Sequence, residues 1–364
     1  MSNDALVLRC RDVRKMKRIE IVSLAQGALD QEWQRYVNTS PQASQYHRLE
    51  WREILLRSFG HRSWYLILQE CGETRGVLPL VEIKSIMFGH FFVSLPFIDH
   101  AGIVADGSES EADLASAAAD LAEGRGAHYI ELRQLRPSAG LASGGWKLRQ
   151  HKASLVIPMN DSLEAKWAGL SSRLRGKVRK AERSGATFVA GNAEQLNEFY
   201  SVFALNMRNL GTPVYSIAFF QNVLRFAEDT AVLLVRLEGR PAAGAIALRN
   251  GDRIELPWIC SDYAHASFNV NEFLYWNTIS WAYKMGAREL DFGRCSIDSG
   301  PYRFKMQWNP DVRPLYWYHR LGPRGHLPDL SPDNSKYALA VRCWKKMPLA
   351  IANGIGPWIV RNIP

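Results

Sequence analysis

The chain has 364 residues, of which 47% are hydrophobic and 22% charged, and its net charge is +9. This length predicts about two domains, and the composition is that of ordinary globular domains with sizeable cores. No segment reaches the ~20 apolar residues of a transmembrane helix, and five cysteines without a CxxC pair indicate neither a disulfide framework nor a zinc site.

Positive charge is concentrated in two segments. Residues 1–18 are predicted to form a basic N-terminal arm, with its charges at Arg9, Arg11, Arg14, Lys15, Lys17 and Arg18. Six more basic residues lie between Arg173 and Arg183. Such clusters suit an anionic partner, for example a phosphate, a nucleotide, a tRNA or a membrane surface, although a solvated helix face shows the same pattern.

Two features predict the compartment. The first residues, MSNDALVLRCRDVRKMKR, lack the apolar core of a secretory signal, and unpaired cysteines fit a reducing compartment. We therefore predict a cytoplasmic protein, with peripheral contact at the inner membrane face as an option. The tail, residues 321–364, contains the apolar segment 347–360 after Lys345 and Lys346. This segment fits either a helix on a membrane surface or a tail docked on the protein.

Residues 19–150 alternate predicted strands and helices. A strand at residues 19–24 leads into a helix over DQEWQRYV, and a second helix covers residues 48–59. A hairpin that turns on Cys71 and Gly72 follows, then short strands. ESEADLASAAADLAEG predicts a helix with acids in its first turn, and HYIELRQL predicts the next strand.

Residues 151–320 repeat this alternation. After the strand SLVIPM, Asp161 or Ser162 can cap a helix, and SSRLRGKVRKAERSG predicts a basic helix. One face of that helix is apolar, and the other carries Arg173, Lys177 and Lys180. The remaining predicted elements are a helix over residues 192–208, the strands AVLLVRLEGRPAAGAIALRN and DRIELPWICS, the helix NEFLYWNTISWAYKMG and the strand RELDF.

The two halves share a short pattern that predicts a duplication. Gly126-Ala127 precedes HYIELR, and Gly286-Ala287 precedes RELDFG, at an offset of 286 − 126 = 160 residues. Each strand then carries an acid between two apolar residues, and a tryptophan follows at nearly the same offset. We therefore predict two copies of one mixed α/β unit, residues 19–150 and 151–320.

The motifs of several enzyme classes are absent from the sequence. It has no GxxxxGK[ST] loop, no complete GxGxxG after a strand, no GxSxG elbow and no HExxH. The triplet DFG, which begins at Asp291, lacks the other protein-kinase signatures. These absences disfavour dinucleotide, P-loop, serine-hydrolase, zinc-protease and kinase functions.

The segment SGPYRFKMQW is predicted as a turn followed by a strand. Apolar and polar residues alternate from Tyr302 to Gln307, which is typical of a strand with one polar face. Lys305 is then either a solvent-facing residue or a fixed cation in a cleft, where it can stabilise an oxyanion.

The run DFGRCSIDSGPYRFKMQWNPDVRPLYWYH resembles the end of FemAB-like acyltransferase domains, whose pattern is DFGRS, a glycine pair, YxFK, a tryptophan and PLxY. SLPFIDHAGIVAD, SRLRGKVRKAERSG, RNLGTPVYSIAFF and NEFLYWNTISWAYKMGARELDFG resemble other signatures of that family in the same order. Within that family, the chain most resembles the FemAB-like proteins that accompany exopolysaccharide systems and the XrtA exosortase and PEP-CTERM systems. Cys295 stands where the family commonly has serine, and Asn309 where it usually has glycine.

The resemblance implies both fold and chemistry. The implied fold is α/β with α+β mixed sheets: tandem duplicated GNAT-like (acyl-CoA N-acyltransferase) domains. The implied activity is that of an amide-forming acyltransferase, which moves an acyl or aminoacyl group to an amine of a cell-envelope or exopolysaccharide precursor. The alternative is a non-catalytic GNAT-like scaffold that binds a glycan or lipid-linked precursor in a polysaccharide or protein-sorting system.

The resemblance also implies a site in the second domain. Lys305 matches the lysine that family members place beside the reacting carbonyl, and Arg208 matches an arginine that holds the phosphates of the acceptor. Neighbours in the same motif complete the predicted site, namely Asp291 and Tyr302 as catalytic residues and Arg294, Asp298 and Arg303 as substrate-binding residues. A lysine kept charged by Asp291 or Asp298 would stabilise the oxyanion that forms when an amine attacks an ester or thioester.

No tightly bound cofactor and no metal are expected, and the acyl donor stays open. Ordinary GNAT enzymes hold the CoA pyrophosphate on N–H groups at a helix N-terminus, but the corresponding segment here, SDYAHASFNVNEF, has no glycine. This disfavours acetyl-CoA in the usual mode, though not another acyl-CoA or acyl carrier. An aminoacyl-tRNA donor would use Arg173, Lys177 and Lys180 and bind with strong salt dependence. The long helical arm of some tRNA-using relatives has no counterpart, which weakens the tRNA option.

Overall fold

The computed structural model describes residues 6–8, 17–22, 27–86, 88–323, 325, 327 and 335–363. The chain divides into two compact units. Unit 1 comprises Met1–His151, Pro314–Pro328 and Asn362–Pro364, and unit 2 comprises Lys152–Arg313 and Asp329–Arg361. Most of the basic N-terminal arm, including Arg9, Arg11, Arg14 and Lys15, lies outside the described residues.

Unit 1 is built on one mixed sheet. Its strands are β1 (Leu6–Leu8), β2 (Lys17–Val22), β3 (Arg62–Glu70), β4 (Glu73–Ser85), β5 (Gly89–Val93), β6 (Val104–Ala105), β7 (Tyr129–Gln134), β8 (Lys147–Arg149) and β16 (Tyr316–Leu321). They lie in the order β1-β2-β3-β4-β5-β7-β16-β8, with β6 beside β4. Its helices are α1 (Gly27–Thr39), α2 (Glu50–Phe59) and α3 (Ser108–Gly124), and short 3-10 turns cover Gln45–His47 and Ala139–Leu141.

The core of unit 1 follows from the sequence patterns. The alanine-rich face of α3 packs on the sheet with Leu114 and Leu121, against apolar side chains of β3, β4 and β7. On the other side of the sheet, Trp33 of α1 packs on Tyr65 and Val77. The predicted hairpin turn is confirmed: Cys71 and Gly72 both have positive φ, 53° and 82°, as a two-residue turn between twisted antiparallel strands requires.

Unit 2 has an equivalent sheet. Its strands are β9 (Lys152–Pro158), β10 (Ala186–Gly191), β11 (Thr230–Leu237), β12 (Arg240–Asn250), β13 (Arg253–Ser261), β14 (Glu289–Ser296) and β15 (Asp311–Pro314). They lie in the order β10-β11-β12-β13-β14-β9-β15. Its helices are α4 (Leu163–Gly169), α5 (Ser172–Arg183), α6 (Leu196–Leu210), α7 (Ile217–Phe226), α8 (Val270–Lys284), α9 (Gly300–Met306), α10 (Ser335–Lys346) and α11 (Leu349–Val360), and 3-10 turns cover Ala193–Gln195 and Tyr263–Phe268.

The seven strands of unit 2 match seven strands of unit 1 in order, from β2 to β8, in accord with the predicted duplication; β1 and β6 have no counterpart. In unit 1, β5 runs parallel to β7 with Val93 opposite Glu131, and in unit 2, β13 runs parallel to β14 with Glu255 opposite Asp291. The next strand is antiparallel in both units: β16 in unit 1 and β9 in unit 2. The carboxylates that the sequence pattern aligned therefore occupy the same place in both sheets.

The chain exchanges one strand between the two units. The strand β9 follows β8 directly but belongs to the sheet of unit 2, and β16 follows β15 but belongs to the sheet of unit 1. The predicted boundaries differ here, because we placed residues 314–320 in the second domain and treated residues 321–364 as a separate tail. Hydrogen bonding between distant segments sets this arrangement, and local patterns do not record it.

The prediction of a strand at SGPYRFKMQW is wrong: Gly300–Met306 forms the helix α9. Ser299 caps this helix, since its Oγ accepts a hydrogen bond from the N–H of Tyr302 at 3.3 Å. Pro301 lies in the first turn, where its missing N–H costs nothing and its fixed φ suits a helix. The alternation of apolar and polar residues was therefore outweighed by a cap and a proline, which together start a helix.

The C-terminal helices α10 and α11 belong to unit 2, where both pack on α6. The buried positions of α11 are Ala352, Gly356 and Val360. A Cβ at Gly356 would lie 3.0 Å from the backbone nitrogen of Val214, so glycine allows the close approach. Among the described residues, no helix combines the length and the apolar character needed to cross a bilayer.

Candidate functional site

The strands β13 and β14 separate after a short paired stretch. Arg253–Glu255 of β13 pair with Glu289–Asp291 of β14. On its other side, β14 pairs with β9 from Glu289 to Ser296. The hydrogen-bond register of β14 shifts between Asp291 and Arg294, where Gly293 takes a φ of 73°. A separation between neighbouring parallel strands leaves backbone N–H and C=O groups along an opening, and these groups can bind an extended ligand.

Lys305 of α9 contacts β14 at Gly293, where the register of β14 shifts. Its side chain is 7% exposed, and its Nζ donates to the carbonyl of Gly293 at 2.9 Å and, less closely, to that of Arg294 at 3.4 Å. Carbonyl oxygens accept hydrogen bonds from an ammonium group. The helix α9 thus brings a buried cation to the place where β14 separates from β13. The sequence left open whether Lys305 faces solvent or lies in a cleft, and it predicted a strand in place of α9.

A small aromatic cluster fixes α9 and therefore Lys305. The ring of Phe304 lies 5.0 Å from that of Tyr275 on α8, and Tyr275 also contacts Phe292 at 4.8 Å. The buried ring of Trp308 stacks on Tyr275 at 5.8 Å. Such pairs contribute about 0.5–1.5 kcal/mol each beyond area burial. Burial also raises the pKa of Tyr275, so its hydroxyl stays neutral.

The carboxylate of Asp291 has other partners than the predicted lysine. It is 2% exposed, and it accepts hydrogen bonds from Nη2 of Arg253 at 2.6 Å, from the N–H of Gly293 at 2.8 Å and from Oγ of Ser154. Burial opposes the charge of Arg253, but Glu255 and Asp291 outweigh it and raise the pKa of that guanidinium. Gly293 joins Asp291 and Lys305, because its N–H donates to the first and its C=O accepts from the second.

The other predicted residues of this motif lie around α9. Tyr302 and Arg294 are half-buried, and Asp298 and Arg303 are exposed. Asp298 adopts a φ of 62° in the turn before the helix. These four residues are near Lys305 in the chain, and Arg294 also touches it through its carbonyl.

Arg208 belongs to a different place in unit 2. It lies in the last turn of α6, and its Nη1 donates to the carbonyl of Lys345 on α10 at 3.3 Å. Its Nε is buried and has no hydrogen-bond partner among the described residues. The described contacts of Arg208 do not join it to Asp291 or Lys305, so the predicted grouping of these three residues is not observed as direct contact.

The basic helix α5 forms as predicted, with Leu174, Val178 and Ala181 buried. Its predicted donor-binding lysines are engaged within unit 2: Lys177 pairs with Glu272 at 2.8 Å, and Lys180 donates to the carbonyl of Ser267 at 2.8 Å. Arg173 is exposed. The two lysines therefore tie α5 to the segment that leads into α8.

That segment also differs from a simple anion site at a helix N-terminus. Residues Tyr263–Phe268 form a 3-10 turn, and Asn269 precedes α8 with a φ of 58°. Glu272 lies in the first turn of α8, and its carboxylate pairs with Lys177 of α5.

Unit 1 holds a buried polar cluster that sequence reasoning missed. Glu131 binds Nε of Arg133 at 2.6 Å and Nε2 of His319 at 2.7 Å. Burial would raise the pKa of Glu131, but Arg133 and His319 outweigh burial and lower it to about 2. The sequence contained a signal for this cluster, because Glu131 aligns with Asp291 in the duplicated pattern. In both units this carboxylate binds a side chain of the exchanged strand, His319 in β16 or Ser154 in β9.

Arg133 extends this cluster to a strained loop. Its Nη1 donates to the carbonyl of Ile98 at 2.9 Å, and its N–H donates to Oγ of Ser94 at 2.8 Å. Leu95 and Phe97 in the same loop have φ values of 61° and 71°. Side chains of this size rarely adopt such angles, and strain of this kind persists only where the surroundings enforce it.

Comparison with known proteins agrees with this architecture. A family model described as "Acetyltransferase (GNAT) domain" matches residues 169–306. A tandem GNAT protein from the clavulanic acid biosynthesis pathway superposes with a TM-score of 0.55 at 11% identity, covering 84% of this chain and 99% of that one.

The fold is a tandem pair of GNAT-like domains.

Two further structures are similar to this chain over most of its length. The crystal structure of FemX gives a TM-score of 0.62 at 15% identity and covers 83% of this chain and 97% of that one. The C-terminal domain of a putative lysylphosphatidylglycerol synthetase from Agrobacterium fabrum gives 0.57 at 16% identity, over 87% and 95%. No curated protein sequence matches the chain. The domain match supports acyl transfer in general.

Proposed function

We propose that this protein is an amide-forming transferase, which moves an acyl or aminoacyl group from an ester or thioester donor to an amine. The proposed acceptor is a precursor of the cell envelope or of an exopolysaccharide, as the resemblance to the FemAB-like proteins of exopolysaccharide and PEP-CTERM systems implies. The proposed location is the cytoplasm, with peripheral contact at the inner membrane face. Among the described residues, Cys71, Cys260, Cys295 and Cys343 form no disulfide bond, which fits a reducing compartment.

The observation that carries this proposal is the placement of Lys305. Its ammonium is buried and bound to the backbone of β14, where β14 has left β13 and can admit an extended donor. An amine that attacks the donor carbonyl produces a tetrahedral intermediate with a negative oxygen. A charge fixed before the reaction stabilises that oxygen without reorganisation, which one donor typically does by about 3 to 4 kcal/mol.

The test is transfer activity of the purified full chain. A labelled aminoacyl-tRNA pool and a panel of acyl-CoAs are each incubated with nucleotide-linked and lipid-linked amine precursors, and products are identified by mass spectrometry. We expect one donor class to give an amide product. We expect Lys305→Met to lower kcat roughly 10²- to 10³-fold, because the oxyanion loses its cation.

Lys166→Met is the matched control, because Lys166 also donates from a partly buried side chain to a backbone carbonyl, that of Pro158. Thermal unfolding of both variants separates lost chemistry from lost structure. Full turnover in a folded Lys305→Met protein would show that Lys305 is not the oxyanion donor.

A non-catalytic scaffold is the second candidate function. The observation that favours it is the start of α8, where Glu272 and a glycine-free 3-10 turn stand in place of a phosphate-binding loop. A scaffold would bind a glycan or lipid-linked precursor without forming product from any donor. Precursor binding that is unchanged in Lys305→Met, together with no transfer, would favour this candidate.

A further inference from the structure

One face of the helix α11 packs on unit 2. Ala352, Gly356 and Val360 are buried, and the close contact of Gly356 with Val214 leaves no room for a larger side chain. A different face points to solvent and carries Ile351, Ile355 and Trp358, which are 51%, 41% and 70% exposed. Their spacing of four and three residues places them along one stripe of the helix. We call Ile351, Ile355 and Trp358 the apolar stripe.

Positive charge is concentrated in the same C-terminal segment as the apolar stripe. The segment 335–363 contains no aspartate and no glutamate, and its basic residues are Lys336, Arg342, Lys345, Lys346 and Arg361. Arg342, Lys345 and Lys346 are exposed on α10. The guanidinium carbon of Arg361 lies 5.8 Å from the centroid of the Trp358 ring. The helices α10 and α11, which both pack on α6, therefore combine exposed aliphatic and aromatic groups with cations of one sign.

Few kinds of binding partner match both the apolar stripe and the positive charge. A second copy of the chain that used the same surface would bring its cations against those of the first, which is unfavourable. A nucleic acid would match the charge but would offer nothing for Ile351 and Ile355. An anionic bilayer satisfies both features, because lysine and arginine meet the headgroups while tryptophan and isoleucine enter the boundary between headgroups and acyl chains.

We propose that α10 and α11 bind the surface of an anionic membrane, with the apolar stripe at the headgroup and acyl-chain boundary and with Arg342, Lys345 and Lys346 on the phosphates. α11 lies in the plane of the interface and does not span the bilayer. The proposal deepens the peripheral location given above and rests on the proposed function only for its biological setting. Vesicle binding needs no acyl donor, so failure of one proposal is visible separately from failure of the other.

The experiment is flotation of the full chain with vesicles of phosphatidylcholine alone or with phosphatidylglycerol added, across a salt series. We expect binding to the anionic vesicles that weakens as salt rises. Replacing Arg342 and Lys346 by glutamate should lower the partition coefficient by roughly fivefold or more for each site. The triple variant Ile351→Ser, Ile355→Ser, Trp358→Ser should lower it about tenfold or more.

Leu56→Ser is the matched control, because Leu56 is an exposed apolar residue on α2 of unit 1, at 47%, and we expect its binding to stay at the wild-type level. Three results would overturn the proposal. The first is no binding of the folded chain to anionic vesicles at low salt. The second is binding that the triple variant leaves unchanged. The third is self-association in light scattering that the triple variant abolishes, because a second copy would then be the occupant.

Discussion

Single residues decide the electrostatics of both units. Glu131 and Asp291 are buried carboxylates at equivalent positions, and each is charge-paired with an arginine, Arg133 or Arg253. Each also binds the exchanged strand. Removing one partner of a buried pair leaves an uncompensated charge, which typically costs about 3–5 kcal/mol. We therefore regard Asp291 as a positioning residue for β14, which acts on Lys305 through Gly293.

The pH dependence of unit 1 follows from the lowered pKa of Glu131, about 2. A lowered pKa gives stability that is present above the unfolded pKa, near about 4.3, and is lost as pH falls toward the folded value. We expect Glu131→Gln to be destabilised by about 3–5 kcal/mol at pH 7. The difference from wild type should shrink at about pH 3, because the wild type then loses this stabilisation as well.

Hydrogen exchange of the peptide that covers Tyr316–Leu321, together with urea unfolding at both pH values, measures this effect. Glu123→Gln, an exposed acid on α3, should show no such dependence. A wild-type advantage that stays constant down to pH 3 would mean that Glu131 is not the titrating group.

At the scale of elements, α5 and the segment before α8 act together. Lys177 and Lys180 bind Glu272 and the carbonyl of Ser267, so we expect their replacement by methionine to speed hydrogen exchange in residues 263–273. Arg173, exposed on the same helix, is the control and should leave exchange unchanged.

The same variants test the predicted donor-binding role of α5. If Lys177 and Lys180 contact an aminoacyl-tRNA, each replacement should reduce the slope of log affinity against log salt by about 1. We expect Arg173→Met to change this slope if tRNA is the donor, since its side chain is exposed. A changed slope without faster exchange in Lys177→Met would contradict the structural role.

At the scale of the whole chain, unit 1 depends on a strand from the far end of the second sequence half. In unit 1, β16 pairs with β7 on one side and with β8 on the other. Without β16, β7 would present an unpaired edge and β8 would have no partner, which promotes aggregation. The first 151 residues should therefore fail to fold alone.

A fusion tests this dependence. Trp317 pairs with Arg149 in antiparallel register, so a short linker from residue 151 to residue 314 forms a hairpin. We expect residues 1–151 joined in this way to residues 314–323 to be monomeric and to unfold cooperatively, whereas residues 1–151 alone should aggregate. Size-exclusion chromatography and circular dichroism report both properties. Cooperative folding of the shorter fragment would show that β16 is dispensable.

The sequence by itself determined most helices and strands, the duplication and the mixed sheets, whereas the catalytic role that it suggests for Lys305 stays a prediction. These features depend on periodicity, caps and motifs, which involve residues close in the chain. Only the tertiary structure decided the exchange of β9 and β16, the partners of Asp291 and the burial of Lys305. The bond between Glu131 and His319 spans 188 residues, and such contacts arise from packing of whole elements rather than from local preference. The one local error, α9 read as a strand, came from weighing alternation above the serine cap and the proline.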